Sequence, residues 1–444
     1  MFVIFNVWAL FSIPLLAQNT LFHPPKTCVR CPSPFPPFPQ SSGPSRFPWV
    51  FTRARFGKMT PSRMVSLQPS NPAAPAGVCH RSDTARWIDG IQTFRFPLAL
   101  AVAGVHSCAY VLDRCTATAT GTACSGSGPE EWIIRFLMLI CQVATSTFLL
   151  AAGFLFFRDG PVSWARYWGK LRARGSTLLV PYLVWNFIGL LVFSSPAAGK
   201  YFFLGEPPQP GEQLTLGSVG RAFLGWPLYP VNAPLWFVRD LILFVAVAPL
   251  FNFIPRRVLP WGLVALCAYW LIGPAGLVPG GIPRSFSLLF FAIGAWMGIS
   301  RVSLKPTAST RSMLWLAAAT LVISAAVGAT FASTNPEVKL LCDKIARVSG
   351  TLALVLAATL PRPDASPWRV LRNLSPASFF LFASHFCVLF LISVAVGHAL
   401  PRASHNTADL LLLGLVWSGT VTLSLGAYFL ILETAVGELA NRGK

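Results

Sequence analysis

Ile91-Gln-Thr-Phe-Arg-Phe-Pro-Leu-Ala-Leu-Ala-Val-Ala-Gly-Val-His-Ser-Cys-Ala-Tyr-Val-Leu112 is the stretch that decides the fold. At about 1.5 Å per residue, a helix of this length reaches the roughly 30 Å needed to cross the hydrocarbon of a bilayer. It carries one formal charge, Arg95, and one imidazole, His106. Apolar segments of similar character recur at about 132–157, 176–194, 235–253, 258–273, 285–300, 312–332, 345–361, 376–398 and 409–432. Backbone polar groups in lipid must be satisfied within the segment, so these segments are predicted as helices. The expected fold is all-α: a polytopic transmembrane bundle of about ten helices over residues 86–435, with a short cytoplasmic tail at 436–444.

Composition agrees. Of 444 residues, 54% are hydrophobic and 11% charged, against about 25% charged in soluble domains. The net charge of +20 is expected from cytoplasmic loops that collect Lys and Arg, and not from a nucleic-acid interface. If the first helix starts in the cytoplasm, fifteen basic residues fall in inner loops and eight in outer ones. That bias places both termini inside.

Residues 1–85 read differently. The first 82 contain fourteen prolines and no Asp or Glu. Such a stretch is expected to be disordered. An over-long reading frame accounts for it, with the natural start at Met59 or Met64. Cys28 and Cys31 form a lone CxxC with no second pair, so no metal site is predicted. Cys115 and Cys124 share the first outer loop, where a small disulfide is permitted.

A charged side chain inside a span is costly unless it faces a cavity or a partner, which makes each one a functional candidate. Arg95 and His106 are eleven residues apart, about three turns, and share one helix face about 16 Å apart in depth. The bland alternative is that Arg95 snorkels to the interface and His106 is a satisfied core histidine. Arg239 and Asp240 sit near the outer end of the fourth segment. Neighbours at i, i+1 do not face each other, so each is expected to need its own partner. Arg135 is expected to snorkel.

Ile88-Asp-Gly-Ile-Gln-Thr-Phe-Arg95 through His106-Ser resembles the first-helix signature of the integral-membrane acyltransferase 3 family: an Arg, ten residues, then a His. Phe148-Leu-Leu-Ala-Ala-Gly153 resembles that family's second-helix ending, with Ala152 where the family usually has Ser. Lys170-Leu-Arg172-Ala-Arg174, followed by Val180-Pro-Tyr-Leu-Val-Trp185, resembles the basic segment leading into the third helix. Ala233-Pro-Leu-Trp236-Phe-Val-Arg239-Asp240 resembles the Trp-bearing start of the fourth, and Ser378-Phe-Phe-Leu-Phe-Ala-Ser-His385 the late aromatic-His motif.

The resemblance implies transfer of an acyl group, commonly acetyl, from acyl-coenzyme A as co-substrate, with no bound cofactor. The acceptor would be a hydroxyl on a cell-envelope glycan or lipid-linked sugar, at the bacterial inner membrane. Such chemistry needs a general base or a transient acyl carrier, and histidine serves as either. It also needs phosphate recognition, to which arginine is suited. His106 and Arg95 are thus the expected catalytic pair. Lys170, Arg172 and Arg174 would extend the phosphate site, or are ordinary inner-loop charge. Arg239, Asp240, Trp236 and His385 would bind the acceptor or orient His106, or are structural. A transporter or flippase with intramembrane charges is the competing expectation.

Overall fold

A computed structural model of the chain describes residues 83–116, 128–193, 216–225, 229–272, 283–302, 304–360, 366–399 and 408–442. The expectations for residues 1–82 and for a Cys115–Cys124 bridge lie outside what is described. The described residues are helical, with no β-strand among them. In chain order the α-helices are α1 (Asp83–Thr116), α2 (Pro129–Cys141), α3 (Val143–Phe157), α4 (Trp164–Arg174), α5 (Val180–Phe193), α6 (Leu216–Leu224) and α7 (Trp236–Val247). They continue with α8 (Leu259–Ile272), α9 (Ser285–Ile299), α10 (Ala308–Thr330), α11 (Pro336–Ala357), α12 (Ser366–Leu374), α13 (Ser378–Ala399) and α14 (Ala408–Arg442).

Each of the ten apolar segments coincides with helix. Seven helical stretches are long and apolar enough to cross a membrane by length and composition. The shorter α8 and α9 are apolar but brief, and α11 carries Glu337, Lys339, Asp343, Lys344 and Arg347 in its first half. Large apolar side chains point outward from the bundle, among them Trp261, Ile272, Trp315 and Leu411, as a surface covered by lipid requires.

Element ends depart from expectation for identifiable reasons. The basic stretch before the third span is not a loop: α4 runs through it and one π-helical turn, Gly175–Leu179, joins it to α5. Lys, Arg, Leu and Ala favour helix, and long cationic side chains keep their heads outside an apolar layer. α2 and α3 part at Gln142, whose side chain and carbonyl both accept from Arg347; such a capture of the helical ladder bends a helix. α11 starts nine residues earlier than expected because Asn335 caps it, accepting from Val338 N at 3.1 Å, with Pro336 in the first turn.

Close backbone approach sets the core. A Cβ on Gly153 would strike the Phe291 carbonyl, one on Gly294 the Leu150 carbonyl, and one on Gly298 would lie 2.8 Å from Phe157. These glycines let α3 and α9 cross almost backbone to backbone, as small residues do between membrane helices. Two indoles tie the outer elements to α1. Trp87 Nε1 donates to Val355 O at 3.1 Å, and Trp417 Nε1 to Leu100 O at 3.1 Å. α13 runs parallel to α1: Ser375 Oγ, one turn before α13, donates to Gln92 O at 2.9 Å, and Tyr110 Oη donates to Ser393 O at 3.4 Å near the far end. That register aligns the middle of α13 with the upper half of α1.

Candidate active site

The register of α1 and α13 brings two histidines together. The rings of His106 and His385 lie 5.3 Å apart between centroids, tilted by 40°. Phe386 presents its ring to His106 at 5.4 Å. His385 is completely buried, whereas His106 is half-buried. His385 Nδ1 lies 2.6 Å from Phe382 O. A carbonyl only accepts, so Nδ1 carries the proton and Nε2 is left as the acceptor. That Nε2 is buried and has no hydrogen-bond partner among the described residues. A backbone carbonyl that fixes the tautomer is how a working imidazole is held.

A pair of amides adjoins the histidines. Asn186 in α5 accepts from Asn232 N at 3.1 Å, and Asn232 Nδ2 donates to Ala383 O at 2.9 Å, two residues before His385. Both asparagines are fully buried, and Asn232 Oδ1 and Ser384 Oγ have no partner among the described residues. Buried polar atoms left unsatisfied near an imidazole in this way ask for an explanation such as a polar guest. The sequence reasoning passed over these amides. The signal was present, since Asn186 stands in the apolar run Val184-Trp-Asn-Phe-Ile188 and a buried amide there needs a partner as much as a charge does.

Three turns from His106 toward the Gln92–Ser375 end lies Arg95. It is half-buried and makes no hydrogen bond or ion pair to the described residues. Arg174 is within its electrostatic reach. Of the other two expected phosphate ligands, Arg172 is exposed. Lys170 donates to the Phe156 carbonyl and sits over that ring at 5.0 Å, so its charge meets the C-terminal dipole of α3.

Arg239 and Asp240 correct the expectation that each needs its own partner. Arg239 Nη2 lies 3.0 Å and Nε 3.2 Å from Asp240 Oδ1. Adjacent Cβ atoms diverge around a helix, but a long guanidinium stem curls back to a short carboxylate. Arg239 Nη1 also donates to Gly225 O at 2.6 Å, where Gly225 takes φ +68°, a left-handed turn that glycine adopts freely. Asp240 Oδ2 accepts from the backbone N of Arg284 at 3.3 Å. Both oxygens of Asp240 are thus engaged away from His106. Trp236 is buried against Phe237 and Phe286, with the Arg284 guanidinium 3.9 Å from its ring centre. Arg135 does not simply snorkel; it pairs with Glu131 at 2.5 Å.

Residues 88–431 match the family model described as an acyltransferase domain. The succinoglycan biosynthesis protein ExoH of Rhizobium meliloti (strain 1021) is 26% identical over 275 residues, covering 60% of this chain and 70% of that protein. No solved structure gives a significant match. The family match spans every element that carries Arg95, His106, Asn186, Asn232 and His385, and the chain belongs to this family of multi-pass membrane acyltransferases.

Proposed function

We propose that the protein transfers a short acyl group from acyl-coenzyme A to a hydroxyl of a cell-envelope glycan or lipid-linked sugar. The observation that carries the reading is the stripe on α1: a partly buried guanidinium with no ion pair among the described residues and, three turns on, a partly buried imidazole facing a second imidazole whose Nε2 is unpartnered among them. The donor's phosphates would rest on Arg95 and Arg174 at the inner side of the membrane. Its thioester arm would extend along α1 toward His106. One of the facing imidazoles takes the proton of the acceptor hydroxyl as its oxygen bonds to the thioester carbon. The C–S bond breaks, and the imidazolium returns the proton to the departing thiolate. His106, which keeps some exposure where His385 has none, is the group that meets the substrate. His385 supports it from behind. The alternative in which His106 carries the acyl group briefly uses the same pair. The relative ExoH is named for succinoglycan biosynthesis, which supports a polysaccharide acceptor here. An acyltransferase domain favours this reading over a transporter.

The test is transfer from labelled acetyl-coenzyme A in membranes that contain the protein and an envelope glycan fraction. His106→Ala should lower transfer by about 10²- to 10⁴-fold, the range for loss of a general base, with protein level and insertion unchanged. Near-normal transfer by His106→Ala would return His106 to the status of a core histidine.

A further inference from the structure

Arg284 immediately precedes α9, and its guanidinium lies against two aromatic rings, 3.9 Å from the centre of Trp236 and 4.8 Å from that of Tyr229. The Trp236 ring and a hydrogen bond to the Tyr229 side chain orient the planar cation while leaving others of its five N–H donors for a ligand. The neighbouring charges do not neutralise it. Asp240 gives one oxygen to Arg239 and the other to the backbone N of Arg284, so two guanidinium groups share one carboxylate. Among the described residues no carboxylate lies within ion-pair distance of the Arg284 side chain. Burial lowers its pKa from the ordinary arginine value, with Tyr229 and Asp240 acting the other way; an arginine nonetheless keeps its proton in a protein.

Tyr229 is 42% exposed, so the cluster reaches the surface of the described bundle. It is also tied to the histidine pair. Trp236 lies one turn after Asn232, which bonds the carbonyl two residues before His385. A partly buried guanidinium at the end of the bundle, sharing its nearest carboxylate with Arg239, is costly unless something anionic uses it. We propose that Arg284, framed by Trp236 and Tyr229, is an oxyanion subsite for the acceptor, so that the acceptor bears a carboxylate or phosphate near the hydroxyl that is modified. This deepens the acyltransferase reading above and rests on it.

The experiment reads binding and not transfer. The full chain in lipid nanodiscs is titrated with a hexuronate-containing oligosaccharide and with its carboxyl-reduced neutral twin. A second arm uses a short polyprenyl phosphate and the corresponding alcohol. The anionic member of at least one pair should bind about tenfold tighter or more, the effect of one charge-assisted hydrogen bond. The sugar arm responds if the oxyanion is a carboxylate of the glycan, and the lipid arm if it is a carrier phosphate. Arg284→Gln should erase the preference, and Arg284→Lys should keep part of it, because a point charge lacks the fork. His106→Ala should keep the preference for the anionic member whatever its overall affinity, which separates loss of this subsite from failure of the transfer reading. Equal binding of charged and neutral members in both arms by the wild type overturns the proposal whether or not Arg284→Gln folds. So does a preference that survives in a folded Arg284→Gln protein.

Discussion

Arg239→Met would strand the Asp240 carboxylate, which is wholly buried and would keep only the Arg284 backbone N as a donor. Breaking a buried pair from one side costs about 3–5 kcal/mol, whereas removing both charges together costs far less. The double substitution Arg239→Met/Asp240→Asn should therefore melt at a higher temperature than Arg239→Met alone, as measured on the purified protein in detergent. A double variant no more stable than the single one would mean that the pair is not coupled. The basic residues near Arg95 separate in the same way. Arg174→Gln should raise the apparent KM for acetyl-coenzyme A with little change in kcat, because Arg174 shares the field around Arg95. Lys170→Gln should leave KM alone, because that ammonium is bound to the Phe156 carbonyl. A KM increase for Lys170→Gln as large as that for Arg174→Gln would restore Lys170 to the donor site. Arg95, His106 and His385 were legible in the sequence because each is a polar group in an apolar run. Their mutual geometry was not, since His106 and His385 are joined only by the parallel packing of α1 and α13. The Arg239–Asp240 pair was misread by a rule about Cβ directions that a long flexible side chain escapes.

Packing between helices rests on a few places where backbones nearly touch. Gly294 has no room for a Cβ, because the Leu150 carbonyl of α3 fills that space. Gly414 in α14 has nothing within 4 Å of where a Cβ would stand. Gly294→Ala must push α9 from α3, and overpacking of this kind costs about 1–3 kcal/mol. Gly414→Ala should be neutral or slightly stabilising, since Gly is worse than Ala within a helix by about 1 kcal/mol. Thermal unfolding of the two variants should move in opposite directions or differ by several degrees; equal midpoints would show that α3 and α9 do not depend on that contact. The sequence marked Gly153 only through a family motif, and the structure supplies its physical reason as the mate of this crossing. Helix cores were legible from apolar runs. Their ends were less so, because caps such as Asn335 and charged first turns extend a helix beyond its apolar part, as in α11.

The path of the chain through the membrane turns on α11, whose early turns are charged. Its first half carries five charged residues, which argues against lipid exposure. Yet several are matched within the bundle: Arg347 pairs with Asp343 at 3.1 Å, and Lys344 donates to Leu271 O at 2.7 Å at the end of α8. The helix has 22 residues, so it is about 33 Å long and reaches the thickness of the hydrocarbon layer. Its start follows α10, whose last residue Thr330 accepts from Trp132 near the start of α2. Its end meets Trp87 near the start of α1. The start of α2 and the start of α1 lie on opposite sides if α1 crosses, so α11 must cross between them. Reporter fusions after Gly217 and Ser333 should therefore read outside, and fusions after Lys305 and Arg362 should read inside, with the C-terminus inside as the loop charges also require. Matching signals from Ser333 and Arg362 would show that α11 does not cross, and would move the C-terminus to the other face of the membrane.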